Sequence, residues 1–259
     1  MAVISTIWSF RLTWNFNRRG GYKWPPWKGD EDYRWSILKE GFLFSALNNP
    51  IVWIIFNFTF ISFYNSFLLF AISTPSLIAW SAAMSPSCKK NGISTFDGIT
   101  TFLVLSFILI ESIADNQQYA FQTEKNRRRS ISEAEKLNST NMGNKYHKTQ
   151  SSLWTGDFAD GFLHSSGLFT IVRKPNYMAE QAIWICYYFF SISATNDIVN
   201  ISIIGCVQLC ILFQFSGKLT EDITITKYPK YKQYQKLIPL YVPSISSINK
   251  SILQVYKKD

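Results

Sequence analysis

The residues best placed for chemistry lie in the segment Glu111-Ser-Ile-Ala-Asp115-Asn-Gln-Gln118-Tyr119. Glu111 and Asp115 are four apart, so on a helix they share one face. Glu111 follows thirteen uncharged residues. An ionisable group at the end of such a run faces either a water-filled cavity or ligand, or the headgroup layer of a membrane, and spacing leaves both open. A second group is Arg173-Lys174-Pro175-Asn176-Tyr177-Met-Ala-Glu180. Pro175 suits the first turn of a helix, where no amide donor is needed. Arg173 and Lys174 then stand at a helix N-terminus, an arrangement that binds phosphate and that also serves as a basic membrane anchor followed by a cap. Glu180 is four residues beyond Asn176. A third group is the stretch 221–243, in which tyrosines, including Tyr231, alternate with lysines. That composition suits a membrane interface and equally suits stacking on, and charge pairing with, a nucleotide.

Other chemistries find no support. There is no GxGxxG, no Walker A loop and no nucleophile elbow. Only two histidines occur, and the four cysteines (Cys88, Cys186, Cys206, Cys210) form no CxxC pair, so no metal site is expected. Cys206 and Cys210 are four apart in an apolar run and read as packing residues.

The elements that must position these groups are apolar helices. The chain of 259 residues holds 21 Phe, 13 Tyr and 9 Trp, while charged residues make up 17%. Apolar residues collect in runs and charges collect between them, which excludes a disordered chain and a disulfide-stapled mini-domain. The net charge of +9 lies in loops flanking those runs, so a soluble nucleic-acid binder is not expected. Four segments predict membrane spans: 50–73, 97–114, 179–193 and 197–217. The last two are joined around residues 194–196 and predict a helical hairpin. Residues 74–84 are apolar but too short to span, and with Pro75 and Pro86 near their ends predict an interfacial or re-entrant piece. Residues 2–10 predict a partial membrane helix. Basic loops (11–39, 122–174 and the tail after 217) alternate with poorly charged ones, so the positive-inside rule places the basic regions and the C-terminus in the cytosol. Residues 122–160 are polar and predict a partly disordered cytosolic insertion within one membrane domain spanning 1–259. Its Arg127-Arg128-Arg129-Ser130 run fits either a basophilic kinase site or a contact with anionic lipid. The expected fold is an all-α polytopic transmembrane bundle with four spans and a possible N-terminal partial helix.

Two N-terminal motifs complete the pattern: Trp8-Ser-Phe-Arg11-Leu12, and Asp30-Glu31-Asp32-Tyr33-Arg34-Trp35. Taken in order with Glu111/Asp115/Gln117, Gly167–Glu180, Pro229/Tyr231/Tyr234 and Ile238-Pro239, these motifs resemble the steroid 5-alpha-reductase-like membrane proteins, and most closely their poorly characterised branch. The resemblance covers nearly the whole chain. It implies a multi-helix membrane oxidoreductase using NADPH to reduce a lipid carbon–carbon double bond conjugated to a carbonyl. It implies cofactor contacts at Glu111, Asp115, Gln118, Arg173, Lys174, Asn176, Tyr177, Glu180 and Tyr231. Where the family has Arg-His-Pro-Asn-Tyr, this chain has Arg173-Lys174-Pro175-Asn176-Tyr177, and lysine lacks the titratable ring. The enone-polarising residues of the steroid reductases lie upstream of the matched region, so no catalytic residue is assigned. Two rivals stand beside this reading. Isoprenylcysteine methyltransferases, which bind S-adenosylmethionine, have a similar C-terminal Arg-His-Pro-x-Tyr arrangement, and a non-catalytic membrane scaffold would retain the same fold. The partners expected are the lipid membrane and a small lipid substrate, with no nucleic acid, and the expected membrane is the endoplasmic reticulum.

Overall fold

The computed structural model describes residues 1–25, 28–29, 32–85, 92–138 and 153–249, and among these there is no strand. Cys88, Pro86, the Asp30-Glu31 pair and residues 139–152 of the expected polar insertion lie outside the described residues. The helices are α1 (Ala2–Arg18), α2 (Tyr33–Lys39), α3 (Pro50–Phe56), α4 (Asn65–Met84), α5 (Thr95–Asn138), α6 (Asp157–Asp160), α7 (Pro175–Thr195), α8 (Ile203–Lys227) and α9 (Tyr231–Leu237). A π-helical stretch, Asn57–Tyr64, joins α3 to α4.

The starts of these helices follow from their sequences. Ser94 and Asp97 form a reciprocal capping box at the head of α5: the Ser94 amide donates to Asp97 Oδ2 at 2.8 Å, and the Asp97 amide donates to Ser94 Oγ at 3.1 Å. Asp32 caps α2 by accepting from the Arg34 amide. Asn49 caps α3 with Pro50 in the first turn.

Three helical runs are long and apolar enough to cross a membrane: Pro50–Met84, Thr95–Ala134 and Ile203–Lys227. Residues 74–84 do not form a separate interfacial piece. They continue the first run, although Pro75 lies inside it. A proline there removes the amide that would bond the Ala71 carbonyl. The Thr74 hydroxyl donates to that carbonyl instead, at 2.7 Å, and the Ser73 hydroxyl donates to Phe70 O at 2.7 Å. Neighbouring hydroxyls thus satisfy the freed backbone, which is how a helix in lipid tolerates proline. The segment 179–193 lies within α7, whose Trp, Tyr, Gln and Ser residues keep it out of that set of three; much of its surface is buried. Residues 197–202 form the hairpin tip rather than the start of α8, because Asn200 folds back there. Its amide donates to Tyr188 Oη at 3.1 Å and its side chain to Ser191 Oγ at 3.0 Å.

The chain forms two compact units: Met1–Ile108 with Glu180–Ser216, and Leu109–Ala179 with Gly217–Asp259. In the first, Ile4, Leu68, Ile72, Val104, Ile108, Ile183, Trp184, Tyr187, Phe190 and Leu209 build the core around α7. Gly205 of α8 sets the approach of its neighbour: a Cβ there would stand 2.3 Å from the Ala71 backbone of α4. Small residues at such crossings let backbones pack without lipid between them. In the second unit the core is aromatic, with Phe162, Tyr231, Tyr234 and Ile238 packed together.

Gly205→Ala forces backbone against backbone. It is expected to lower stability by about 1–3 kcal/mol, the usual cost of overpacking. Thermal unfolding of the detergent-purified protein checks this, with Ile204→Ala at the neighbouring half-exposed position as the reference.

Candidate functional site

α5 presents the buried acids. Glu111 and Asp115 are 6% and 5% exposed, and Ala114 beside them is fully enclosed. One turn further on, Gln117 Oε1 accepts from the Leu168 amide at 3.0 Å. Gly167 makes that contact possible. Its φ is +65°, and a Cβ would fall 2.3 Å from the Gln117 amide, so only glycine fits both the backbone and the space. Tyr234 of α9 donates its hydroxyl to the next carbonyl, Phe169 O. The turn before α7 is therefore fixed from two sides.

That turn delivers Arg173 into a closed polar knot. Arg173 Nε donates to Glu221 Oε1 at 2.6 Å and Nη2 to Glu221 Oε2 at 3.0 Å. Nη1 donates to Gln235 O at 3.0 Å and to Ile238 O. The two side chains are 10% and 7% exposed. Glu221 accepts two further hydrogen bonds, from Tyr231 Oη at 2.9 Å and Gln235 Nε2 at 2.8 Å. The Arg173 and Lys174 amides donate to Pro239 O and Leu240 O at 2.9 and 3.2 Å. Four of the five guanidinium hydrogens thus have protein acceptors. Burial, and then the Glu221 charge, push the Tyr231 phenol well above the ordinary tyrosine range, so Tyr231 stays a neutral donor.

The remaining expected residues divide into two sets. Asn176 and Gln118 are half-buried, and neither side chain has a hydrogen bond among the described residues. Asn176 stands in the first turn of α7. Lys174 Nζ lies 5.6 Å from the Tyr177 ring centroid. Glu180 belongs to the first compact unit and is engaged there. Trp184 Nε1 donates to its Oε1 at 2.9 Å, Trp8 Nε1 donates to its Oε2 at 3.0 Å, and Arg11 Nη2 stands 3.6 Å away. The two indoles meet edge to face at 5.0 Å. The Trp8/Arg11 motif and the end of the Arg173–Glu180 motif therefore meet in one cluster. Among the described residues no group of His, Cys, Asp and Glu is arranged to hold a metal ion.

Gln117 was marked by its place in the Glu111/Asp115/Gln117 motif, though not its partner. Sequence reasoning passed over two participants. Glu221 was visible only as a member of a polar run, and nothing local marks its partner. The second is a lysine–tyrosine pair. Lys125 of α5 is buried; it donates to Gly161 O at 2.6 Å and to Tyr228 Oη at 2.8 Å. Burial alone would raise the Tyr228 phenol, but the Lys125 hydrogen bond and charge, aided by Lys227 and Arg129, bring it below the ordinary tyrosine value.

These features define a protein that is all-helical among the described residues, with three helices fit to cross a membrane and a set of buried polar residues. The chain belongs to the family described as "Protein of unknown function (DUF1295)", which it matches over residues 1–238. It is 27% identical over 248 residues to the uncharacterized protein C594.04c of Schizosaccharomyces pombe, an alignment covering 95% of this chain and 63% of that one. The chain thus spans less than two thirds of that relative's length. No solved structure matches it.

Removing one member of the Arg173–Glu221 pair leaves the other buried without its counter-charge. Arg173→Ala and Glu221→Ala are each expected to cost about 3–5 kcal/mol, and the double variant less than their sum. A double-mutant cycle on thermal unfolding measures this. Lys125→Met should raise the pH at which Tyr228 ionises. The tyrosinate absorbance difference between each protein and its Tyr228→Phe counterpart reads that shift directly.

Proposed function

We propose that the protein is a membrane-embedded NADPH-dependent reductase of a lipid enone. The observation that carries this reading is that Glu111 and Asp115 of α5 are buried, while two half-buried amide side chains of the same compact unit, Gln118 and Asn176, have no hydrogen bond among the described residues. Unengaged amides and buried carboxylates suit the hydroxyls and carboxamide of a dinucleotide. The first turn of α7 adds backbone donors for its phosphates, and Lys174 adds charge. The order of the motifs, which resembles that of the steroid 5-alpha-reductase-like proteins, supports the same reading. Arg173 and Tyr231 then act by holding the wall of the site, since their polar groups are engaged by Glu221.

When bound, NADPH supplies a hydride, two electrons and one proton, to the carbon β to the carbonyl. The α carbon takes a proton from solvent or a donor group, so the double bond is reduced and the nucleotide is oxidised. The residues of this chain would bind and orient the nucleotide and keep bulk water from the reacting carbons. We further propose that α7 crosses the membrane as a fourth span, that the basic regions and C-terminus face the cytosol, and that the membrane is the endoplasmic reticulum.

A non-catalytic scaffold is the second reading. It is favoured by one observation: Arg173, Tyr231 and Glu180 all have protein partners. Ligand-induced stabilisation of the purified protein separates the two. NADPH is expected to raise the unfolding temperature, and NADH and S-adenosylmethionine to do so less or not at all. Asn176→Ala and Asp115→Asn should each weaken NADPH binding about tenfold or more, the size of a hydrogen bond to a polar or charged group, with unfolding temperature in the absence of nucleotide little changed. Stabilisation by S-adenosylmethionine alone selects the methyltransferase reading. Absence of any shift selects the scaffold.

A further inference from the structure

Where α5 meets the turn between α8 and α9, four side chains converge that the proposed reaction does not use. Lys125 and Arg129 are four apart and share a face of α5. Lys227 closes α8, with its ammonium 5.7 Å from the Tyr228 ring centroid. Lys125 stands 4.7 Å from the same centroid. The charges of Lys125, Lys227 and Arg129 all favour the ionised form of the Tyr228 hydroxyl.

Two neighbouring carboxylates are engaged elsewhere. Glu124 is held by Arg127 and Arg128, each at 2.7 Å. Asp160 is held by Lys230 at 2.7 Å and His164 at 3.0 Å. Among the described residues, Lys125, Arg129 and Lys227 have no carboxylate within ion-pair distance.

The phenol is the decisive group. Its oxygen accepts from Lys125 at 2.8 Å, so its own hydrogen points elsewhere, and no described residue accepts it. The ring is fixed against Phe162, with centroids 6.3 Å apart. The result is an oriented O–H donor flanked by cations that form no ion pair among the described residues. Three positive charges around one hydroxyl donor suit a compact dianion with several acceptor oxygens.

We propose that Lys125, Arg129, Lys227 and Tyr228 form a binding site for the phosphate monoester of a soluble ligand. Tyr228 and Arg129 donate to the phosphate oxygens, Lys227 pairs with their charge, and Lys125 is a positioning residue that turns the phenol outward. A lipid headgroup is the other source of such chemistry, and the length of α5 argues against it. The apolar run of α5 closes at Ala114. At 1.5 Å per residue, Lys125 and Arg129 stand about 16–22 Å further along the helix, beyond the roughly 5–8 Å that each headgroup layer adds to the hydrocarbon core. That the monoester belongs to a dinucleotide, as the group distinguishing NADPH from NADH, rests on the reductase reading; the anion site itself does not.

The test uses the full chain purified in detergent, with inorganic phosphate, NADPH and NADH as probes and with flotation on phosphatidylserine-containing vesicles. Tyr228→Phe keeps the ring and removes only the donor. Arg129→Ala and Arg127→Ala remove equal charge from the same exposed helix, one inside the cluster and one outside. The expected result is a loss of about tenfold or more in affinity for phosphate and NADPH in Tyr228→Phe and Arg129→Ala, with Arg127→Ala and NADH affinity unchanged. Equal losses in Arg127→Ala, no loss in either cluster variant, or loss of vesicle flotation alone each overturn the proposal. Phosphate affinity lost in the two cluster variants, with neither dinucleotide binding the native protein, upholds the anion site and ends the reductase reading. NADPH and NADH binding alike in every variant, with phosphate also unaffected, does the reverse.

Discussion

A guanidinium and a carboxylate, both withdrawn from water, organise the second compact unit of this protein. Desolvating Arg173 and Glu221 costs several kcal/mol for each ion. The pair persists because almost every donor and acceptor it owns is engaged, by Tyr231, Gln235 and two carbonyls besides its own two bonds. The knot has a topological effect. It joins the turn before α7, the end of α8 and the segment following α9. With those three fixed, the first turn of α7 starts from a defined point, and Asn176 is aimed by the backbone rather than by its own contacts. Loosening the pair would release the walls of the candidate site together.

The motifs that stand apart along the chain meet in pairs. Gln117 of the α5 motif holds Gly167 and Leu168 of the α7 motif. Arg173 of that motif holds the segment that ends at Ile238-Pro239. Glu180 at its far end receives Trp8 and Arg11. Arg34 reaches Ser216 at 2.6 Å while gripping its own cap, Asp32. Each motif is modest as a string of residues. Its specificity lies in polar partners separated by 48 to 182 positions.

Much of this was legible in the sequence. Hydropathy and spacing located the apolar helices, and the i, i+4 acids fell on one buried face as their spacing required. Two things were not legible. The first is helix extent where apolarity stops. α5 runs on to Asn138 because Glu124 pairs forward with Arg127 and Arg128, in the orientation that supports a polar helix. A reading led by hydropathy ends earlier. The second is the fate of each charge. Arg173 at a helix start looked free for phosphate, and only the fold brings Glu221 to it. Periodicity reports which face a residue occupies and says nothing of what that face will meet. Pro75 is an instance of the first, since a breaker in water becomes tolerable when Thr74 supplies the missing donor.

The helical run from Pro50 to Met84 has a consequence for the bilayer it would occupy. Thirty-five residues rise about 52 Å at 1.5 Å each, against a hydrocarbon thickness of about 30 Å. The excess has to be taken up by tilt, by bending or by a local thickening of the lipid. The run carries two places where bending is easy, the π-helical turn at Asn57–Tyr64 and the proline at 75. A segment built that way does not dictate the thickness of its surroundings. It can shorten its projection to fit a thin membrane, while the 25-residue α8, about 38 Å long on the same rise, comes closer to matching the core without such bends.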